Sequence, residues 1–422
     1  MRRRLGRAHS ARALALLSRP QPPPKRKTGV DSAAWLTDQL KRKDEDLTPT
    51  QDQQKLKTWV DDRLKPLLEK HTGGVFHTFG SCQNGFWMNG SDIDACLVLP
   101  RCLRKQSWLT KLRLVQSLAI TERLGEVELV KGARVPVAKI HDGQGRDLCD
   151  VSVNNVAALE NSRFVGTLSS LDPRVPYLGR FIKHWASQRC INNRAEGTLS
   201  TYTLILQLFY SLQLRNPPVL PMVTDILTES LQTQGVSGME PSIEVPKAVN
   251  HFLTDPEMDE MTGELRSLPF LTDPKMIREE RIRHRMNEES LGELLLGFFE
   301  LWGREEFGGG EEGDGQTVYV YDASCELNDL GVLVMRCPLT GKNVNPFTTM
   351  VWRAIHGEFA RAARLLRAGC RLEELCEPTE GPPAGCGHRG GGGAEIAAAL
   401  YPDGPDGYGE TDMPDVQESE MV

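Results

Sequence analysis

The stretch "HTFGSCQNGFWMNGSDIDACLVLP", His77 to Pro100, places two carboxylates, Asp92 and Asp94, at the head of an apolar run that reads as a buried strand. Charge at the mouth of a core strand is costly unless something neutralises it. Residues i and i+2 of a strand share a face, so the two carboxylates stand side by side. Like charges that close repel unless a cation lies between them. Hard oxygen donors of this kind favour Mg2+ or Mn2+.

A third carboxylate is available in "CDVSVNN", where alternation puts Asp150, Ser152 and Asn154 on one face and Val151 and Val153 on the other. If the two strands are neighbours, Asp92, Asp94 and Asp150 form a three-carboxylate site able to hold two divalent ions for phosphoryl transfer. Upstream, Gly80 allows close backbone approach to a ligand. The Ser81 hydroxyl and the amides after it supply phosphate donors. A lone Asp-x-Asp or a lone Gly-Ser is ordinary surface punctuation. Their combination with a later in-strand Asp is far rarer.

The elements around this region alternate. A helix is expected from about Thr48 to Lys70, with Leu56, Val60, Leu64, Leu67 and Leu68 at helical spacing and Gly73-Gly74 as its stop. A second helix is expected from about Gln106 to Leu124, followed by strands in "ARVPVAKIHD" and "RDLCDVSVNN" joined by the turn "DGQG". From Ser162 to about Leu214 the pattern is helical and ends at the breaker "RNPPVLP". Residues 230–290 read as a polar insertion. "LGELLLGFFELWG" is a buried helix, "TVYVYDA" a strand, and "TTMVWRAIHGEFARAARLLRAG" the last helix.

The division expected is a basic N-terminal tail or targeting segment over 1–30, an α/β catalytic domain over 45–160, and a mostly helical central domain over 161–368. An acidic, Gly/Pro-rich disordered tail over 371–422 follows. The net charge of -7 is uneven: residues 1–28 carry nine Arg/Lys and no acid, whereas 371–422 carry twelve Asp/Glu against two arginines. Any grip on a polyanion must therefore be local. Residues 161–220 supply one candidate, with seven Arg/Lys against Asp172 and Glu196. The helix around Tyr177 to Arg189 sets Arg180, Lys183 and Ser187 opposite an apolar stripe.

Ten cysteines without CxxC pairs point to free thiols in a reducing compartment. Cys370, Cys376, Cys386 and His388 fit no common zinc spacing. No apolar run approaches the ~20 residues of a membrane span. The Arg-rich start reads as a transit peptide and "PPPKRKTG" as a nuclear-import patch, beside a default cytoplasmic placement.

The motif "FGSCQNGFWMNGSDIDACLV" resembles the signature of the DNA polymerase β-type nucleotidyltransferases. The segments "CDVSVNNVAALENSRFV", "LDPRVPYLGRFIKHWASQRCIN", "GTLSTYTLILQLFYSLQLRNPPVLP" and "GKNVNPFTTMVWRAIHGEF" resemble the RNA terminal uridylyltransferases and related poly(A) polymerases. The resemblance spans roughly residues 50–365 with 230–290 unmatched. It implies a mixed-sheet α/β nucleotidyltransferase domain against a helical domain of the poly(A)-polymerase-associated type, with the site in the cleft between them. It implies Asp92, Asp94 and Asp150 as Mg2+ (or Mn2+) ligands, Asp150 also assisting deprotonation of an RNA 3′-hydroxyl. Gly80, Ser81 and Lys183 match triphosphate contacts. Asn161 matches a sugar and base contact, Tyr202 a stacking aromatic, and Ser200 and Thr201 its polar neighbours.

Two places depart from the family pattern. Ser187 stands where many relatives carry a second lysine. In "RCPLTGKNVN", Cys337 replaces an acid, and Lys342 precedes Asn343 where a histidine favours uracil over adenine. The expected activity is template-independent addition of UMP to RNA 3′ ends, with ATP-dependent poly(A) synthesis as the alternative. Nucleotidylation of a small molecule or protein, and an inactive module keeping the fold, are the more distant alternatives. The implied partners are an RNA 3′ end, UTP or ATP, and proteins that direct the enzyme to RNA.

Overall fold

The computed structural model describes residues 30–130, 135–223, 287–309 and 314–382. Residues 1–29 of the tail expected over 1–30, and most of the insertion expected over 230–290, lie outside these residues. The first helix, α1 (Val30–Leu47), precedes α2 (Gln51–Trp59). At the start of α2, Thr50 and Gln53 cap each other's backbone in a capping box. A π-turn at Val60–Leu64 leads on into α3 (Lys65–Thr72), which stops where Gly73 adopts φ 64°. Val60, Leu64 and Leu68 of the expected stripe are fully buried.

Strand β1 (Val75–Phe79) runs into the short helix α4 (Ser81–Asn84), and a loop then leads to β2 (Asp94–Val98). Helix α5 (Trp108–Thr121) follows, and then β3 (Glu126–Val130), β4 (Val137–His141) and β5 (Asp147–Val153). The five strands form one mixed sheet in the order β1-β2-β5-β4-β3, with only β2 and β5 parallel. Ala95, Leu97 and Val151 pack on one face against Val60, Leu64, Leu112 and Val115. Cys96 and Val98 face the other way, onto Val156 and Leu159. This is the alternation expected of a sheet covered on both sides. Strand β3 lay outside the sequence expectation. Its charged "EVELV" edge carries too little apolar signal to stand out.

Helix α6 (Val156–Ser170) runs unbroken across residue 161. Its first turns cover the sheet, and Phe164, Val165 and Leu168 enter the second core. That core is built by α1, α7 (Arg174–Gln188), α8 (Thr201–Gln213), α9 (Leu291–Trp302) and α10 (Thr349–Arg367). Trp185 meets Phe299 edge-on at 4.7 Å and Phe359 at 5.1 Å at its centre. A three-stranded sheet completes the unit, with β6 (Gly315–Tyr319) between β7 (Ser324–Asn328) and β8 (Leu333–Arg336). The sequence had suggested a single strand there.

The tail expected from residue 371 begins instead with packed structure. Leu372 and Leu375 of α11 (Leu372–Leu375) are buried, and Arg189, the C-cap of α7, donates to the Glu377 carbonyl. Residues 383–422 lie outside the described ones. All nine described cysteines are free thiols. Among the described residues no helix is long and apolar enough to cross a membrane.

Candidate active site

Asp94 opens β2, and its register partner on the parallel neighbour β5 is Asp150. The two carboxylates therefore stand on adjacent strands at one level of the sheet. Asp92 lies in the turn just before β2, not within the strand as the alternation suggested, and is exposed. Of the two residues expected to share Asp150's face, Ser152 donates to the Ala95 carbonyl at 3.0 Å. Asn154 leaves the strand at φ 56° and accepts from the Leu99 amide at 2.9 Å. Both tie β5 to β2.

Gly80 adopts φ 70°, ψ -147°, and a Cβ built there would lie 2.8 Å from Asp94 Oδ2. The glycine is thus required on two grounds: the dihedral, and the space a carboxylate occupies against it. Its amide donates to Ser162 Oγ at 2.9 Å, which fixes the turn to α6. Ser81 follows as the first residue of α4.

Burial, Asp150 and Asp92 together push Asp94 up to about 6, against the opposing charges of Lys183 and Lys139. Burial also raises Asp150, partly offset by Lys139, whose Nζ lies 2.8 Å from Asp150 Oδ2. Burial pulls Lys139 down, and the bond and charge of Asp150 outweigh it, so its ammonium is held above the usual range. Lys183 is shifted the other way by its burial, while Asp94 and Asp92 oppose that shift. It donates to Ser91 Oγ at 3.1 Å, beside the acidic pair.

Among the described residues no three His, Cys, Asp or Glu side chains form a ready-made metal cage. The donor set nevertheless suits a hard divalent cation. Burial first, and the neighbouring carboxylates after it, push Asp94 up, and a lysine already serves as counter-ion to Asp150.

A second cluster lies where α6 meets α8. The Tyr202 hydroxyl donates to Asn161 Oδ1 at 3.1 Å, and Cys337 Sγ stands 3.5 Å from that hydroxyl. Asn161, Tyr202 and Cys337 are thus in mutual contact. Ser200 caps α8 by accepting from the Thr203 amide at 3.1 Å, and its own amide donates to the buried Asn345 at 2.7 Å. Thr201 Oγ1 donates to Asn192 at 3.3 Å. The hydroxyls of Ser200 and Thr201 are therefore engaged within the chain.

The basic excess over 161–220 does not form an open surface for a polyanion. Arg163 pairs with Glu160, Arg174 with Asp172, Arg180 with Asp44, Arg189 with Glu358 and Arg215 with Glu289. Four of these acids, Glu160, Asp44, Glu358 and Glu289, lie outside residues 161–220, so the local charge balance of that stretch does not include them. Two site residues had been overlooked. Lys139 sits in the alternating run "VAKIH", where a lone lysine on a strand beside an acidic one was a usable signal. Ser162 carried none, since its role exists only through the packing of α6 on the Gly80 turn.

Residues 36–170 match the family described as "Poly(A) RNA polymerase, mitochondrial-like, central palm domain". Poly(A) RNA polymerase cid11 of Schizosaccharomyces pombe is 33% identical over 171 residues, covering 40% of this chain and 35% of that protein. Poly(A) RNA polymerase cid13 of the same organism is 29% identical over 311 residues, 71% of this chain and 47% of that one. Terminal uridylyltransferase 4 of Homo sapiens is 31% identical over 232 residues, 54% of this chain and 12% of that one. The chain thus spans less than half the length of each of these curated relatives. In structure it is similar to the Cid1 poly(U) polymerase bound to magnesium and 3′-dATP. That match has a TM-score of 0.61 at 24% identity and covers 83% of this chain and all of that one. Other Cid1 structures hold the short product ApU or the UTP analogue UMPNPP. The expected architecture, a nucleotidyltransferase sheet domain against a helical domain, is the one found.

Proposed function

We propose that this chain adds nucleotides, UMP in particular, to RNA 3′ ends without a template, a reading supported by its palm-domain match and by its similarity to poly(A) RNA polymerases and a terminal uridylyltransferase. One observation carries this reading: Asp94 and Asp150 share a register, with Asp92 just upstream and the Gly80 turn closed onto Asp94.

In this reading Asp92, Asp94 and Asp150 hold Mg2+ or Mn2+. When bound, the ions neutralise the carboxylates and supply Lewis acidity to the transferring phosphoryl group. The chain's own residues do the rest. Gly80 and Ser81 hold the triphosphate, and Lys183, one side chain away on Ser91, adds positive charge to it. Asp150 takes the proton of the RNA 3′-hydroxyl as that oxygen attacks the α-phosphate and pyrophosphate leaves. Tyr202 stacks on the base, while Asn161, oriented by the Tyr202 hydroxyl, contacts sugar and base.

UMP is favoured by the terminal uridylyltransferase among the relatives. AMP is the second reading, supported by the palm-domain match, by cid11 and cid13, and by Lys342 standing where histidine favours uracil. Extension of a single-stranded RNA primer with each of the four nucleotides separately tests both. The expected result is Mg2+-dependent incorporation, UTP foremost, that Asp150→Asn abolishes. No incorporation by folded protein would refute the activity, and a preference for ATP would refute only the choice of base.

A further inference from the structure

The loop that brings Asp92 into the site is held by one face of a helix from the other domain. Residues 85–93 connect α4 to β2. At the loop's entrance the Gly85 carbonyl accepts from Arg180 Nη1 at 3.0 Å. Phe86 then leaves its own domain and is buried in the helical core, 6.5 Å from Phe209. It fits there because α7 carries Gly179, where a Cβ would approach the ring to 2.0 Å. At the exit, Ser91 Oγ accepts from Lys183. Gly179, Arg180 and Lys183 follow within about one helical turn, so a single face of α7 grips the loop at its start, its side chain and its end.

Arg180 is in turn fixed by α1. Asp44 accepts from its Nε at 2.6 Å and its Nη2 at 2.7 Å, a two-point pair with both side chains largely buried. The last residue of α1, Leu47, accepts from the Asn89 amide at 2.8 Å. Gln53, in the first turn of α2, donates to the Met88 and Ser91 carbonyls at 3.3 Å each. These ties from α1, α2 and α7 meet on the residues that precede Asp92 and Asp94.

We propose that Arg180, held by Asp44, is a positioning residue for the carboxylate pair, and that α1 is thereby a working part of the site. The inference rests on the nucleotidyl-transfer reading for its kinetic consequence, but not for its structural one. Displacing a metal-binding carboxylate by as little as 1 Å removes alignment while leaving most nucleotide contacts in place, and such displacements cost about 100-fold in rate. Lysine at position 180 keeps the charge. A single ammonium cannot hold Asp44 at two points and Gly85 as well.

The test compares wild type, Arg180→Lys and Gln53→Met in the full chain, by hydrogen exchange and by primer extension. Gln53 is partly exposed, so its variant keeps the fold if Arg180→Lys does not. The expected result is faster exchange confined to residues 85–93. With it, kcat falls about 10- to 100-fold for Arg180→Lys and less for Gln53→Met, KM for the nucleotide stays within about twofold, and half-saturating Mg2+ rises. Unchanged exchange over 85–93 in both variants overturns the proposal. So does a kcat loss that only tracks a general loss of protection across the chain. If the wild type extends no primer, the transfer reading fails by itself, and the exchange measurement still decides whether Arg180 holds the loop.

Discussion

Lys139 and Asp150 are register partners on β4 and β5, and the lysine ammonium lies 2.8 Å from the carboxylate it faces. The pair closes one side of the site with an internal cation. In the proposed site, lysine and a divalent cation would compete for the same oxygens. The lysine partly offsets the upward push that burial gives the Asp150 carboxyl.

Replacing Lys139 by methionine leaves that charge without its partner. The pair is only partly buried, so the cost in Mg2+-free buffer is expected at about 1–2 kcal/mol, below that of a fully buried pair. Added Mg2+ should then stabilise Lys139→Met more than wild type. Thermal unfolding with and without Mg2+ checks this, and equal shifts in the two proteins would count against the competition.

Gly80→Ala forces a side chain into a left-handed backbone position and against Asp94 Oδ2. Strain of about 1–3 kcal/mol is expected, together with loss of primer extension, because Asp94 must move to admit the methyl group. Gly73→Ala, also at positive φ but with nothing within 4 Å of its Cβ, should lower stability without a comparable loss of activity.

Lys342 is exposed and precedes Asn343 in the turn after β8. Lys342→His should raise incorporation of UTP relative to ATP about 10-fold, the effect of one well-placed polar contact. The ratio of kcat/KM for the two nucleotides measures it. A ratio unchanged by the substitution excludes this position from base choice.

His356 on α10 contacts the Arg304 carbonyl at 2.8 Å, and burial lowers its pKa from 6.5. Its unfolded form binds a proton first as pH falls, so the stability it contributes is complete above about 6.5 and is lost progressively below it. The slope is at most about 1.4 kcal/mol per pH unit. Urea unfolding at pH 7.5 and 5.5 should show a smaller loss for His356→Gln than for wild type.

Much of the five-stranded sheet domain was legible because its signals are local. The α2–α3 stripe, the "DGQG" turn and the Gly80-Ser81 step each follow from residues a few positions apart. The candidate carboxylates were legible for the same reason, since charge at the head of an apolar run is visible without a partner. Weak or non-local signals failed. The edge strand β3 was too polar to register, β7 is mostly polar, and β8 is a short unbroken apolar run without alternation. The arginines over 161–220 looked like a phosphate surface because their acidic partners, Asp44, Glu289 and Glu358, are distant in sequence.

Local chemistry alone thus determined which residue types could bind a divalent cation and a phosphate, and roughly where helices begin and end. Tertiary structure decided which strands are neighbours and in what register, and so that Asp94 meets Asp150 and Asp150 meets Lys139. It also decided that Phe86 crosses into the helical core and that Arg180 faces Asp44. The reason is geometric. A helix or turn is specified by interactions within a few residues. Pairing between distant strands and the insertion of one ring beside one glycine are set by the packing of whole elements, which no short window of sequence contains.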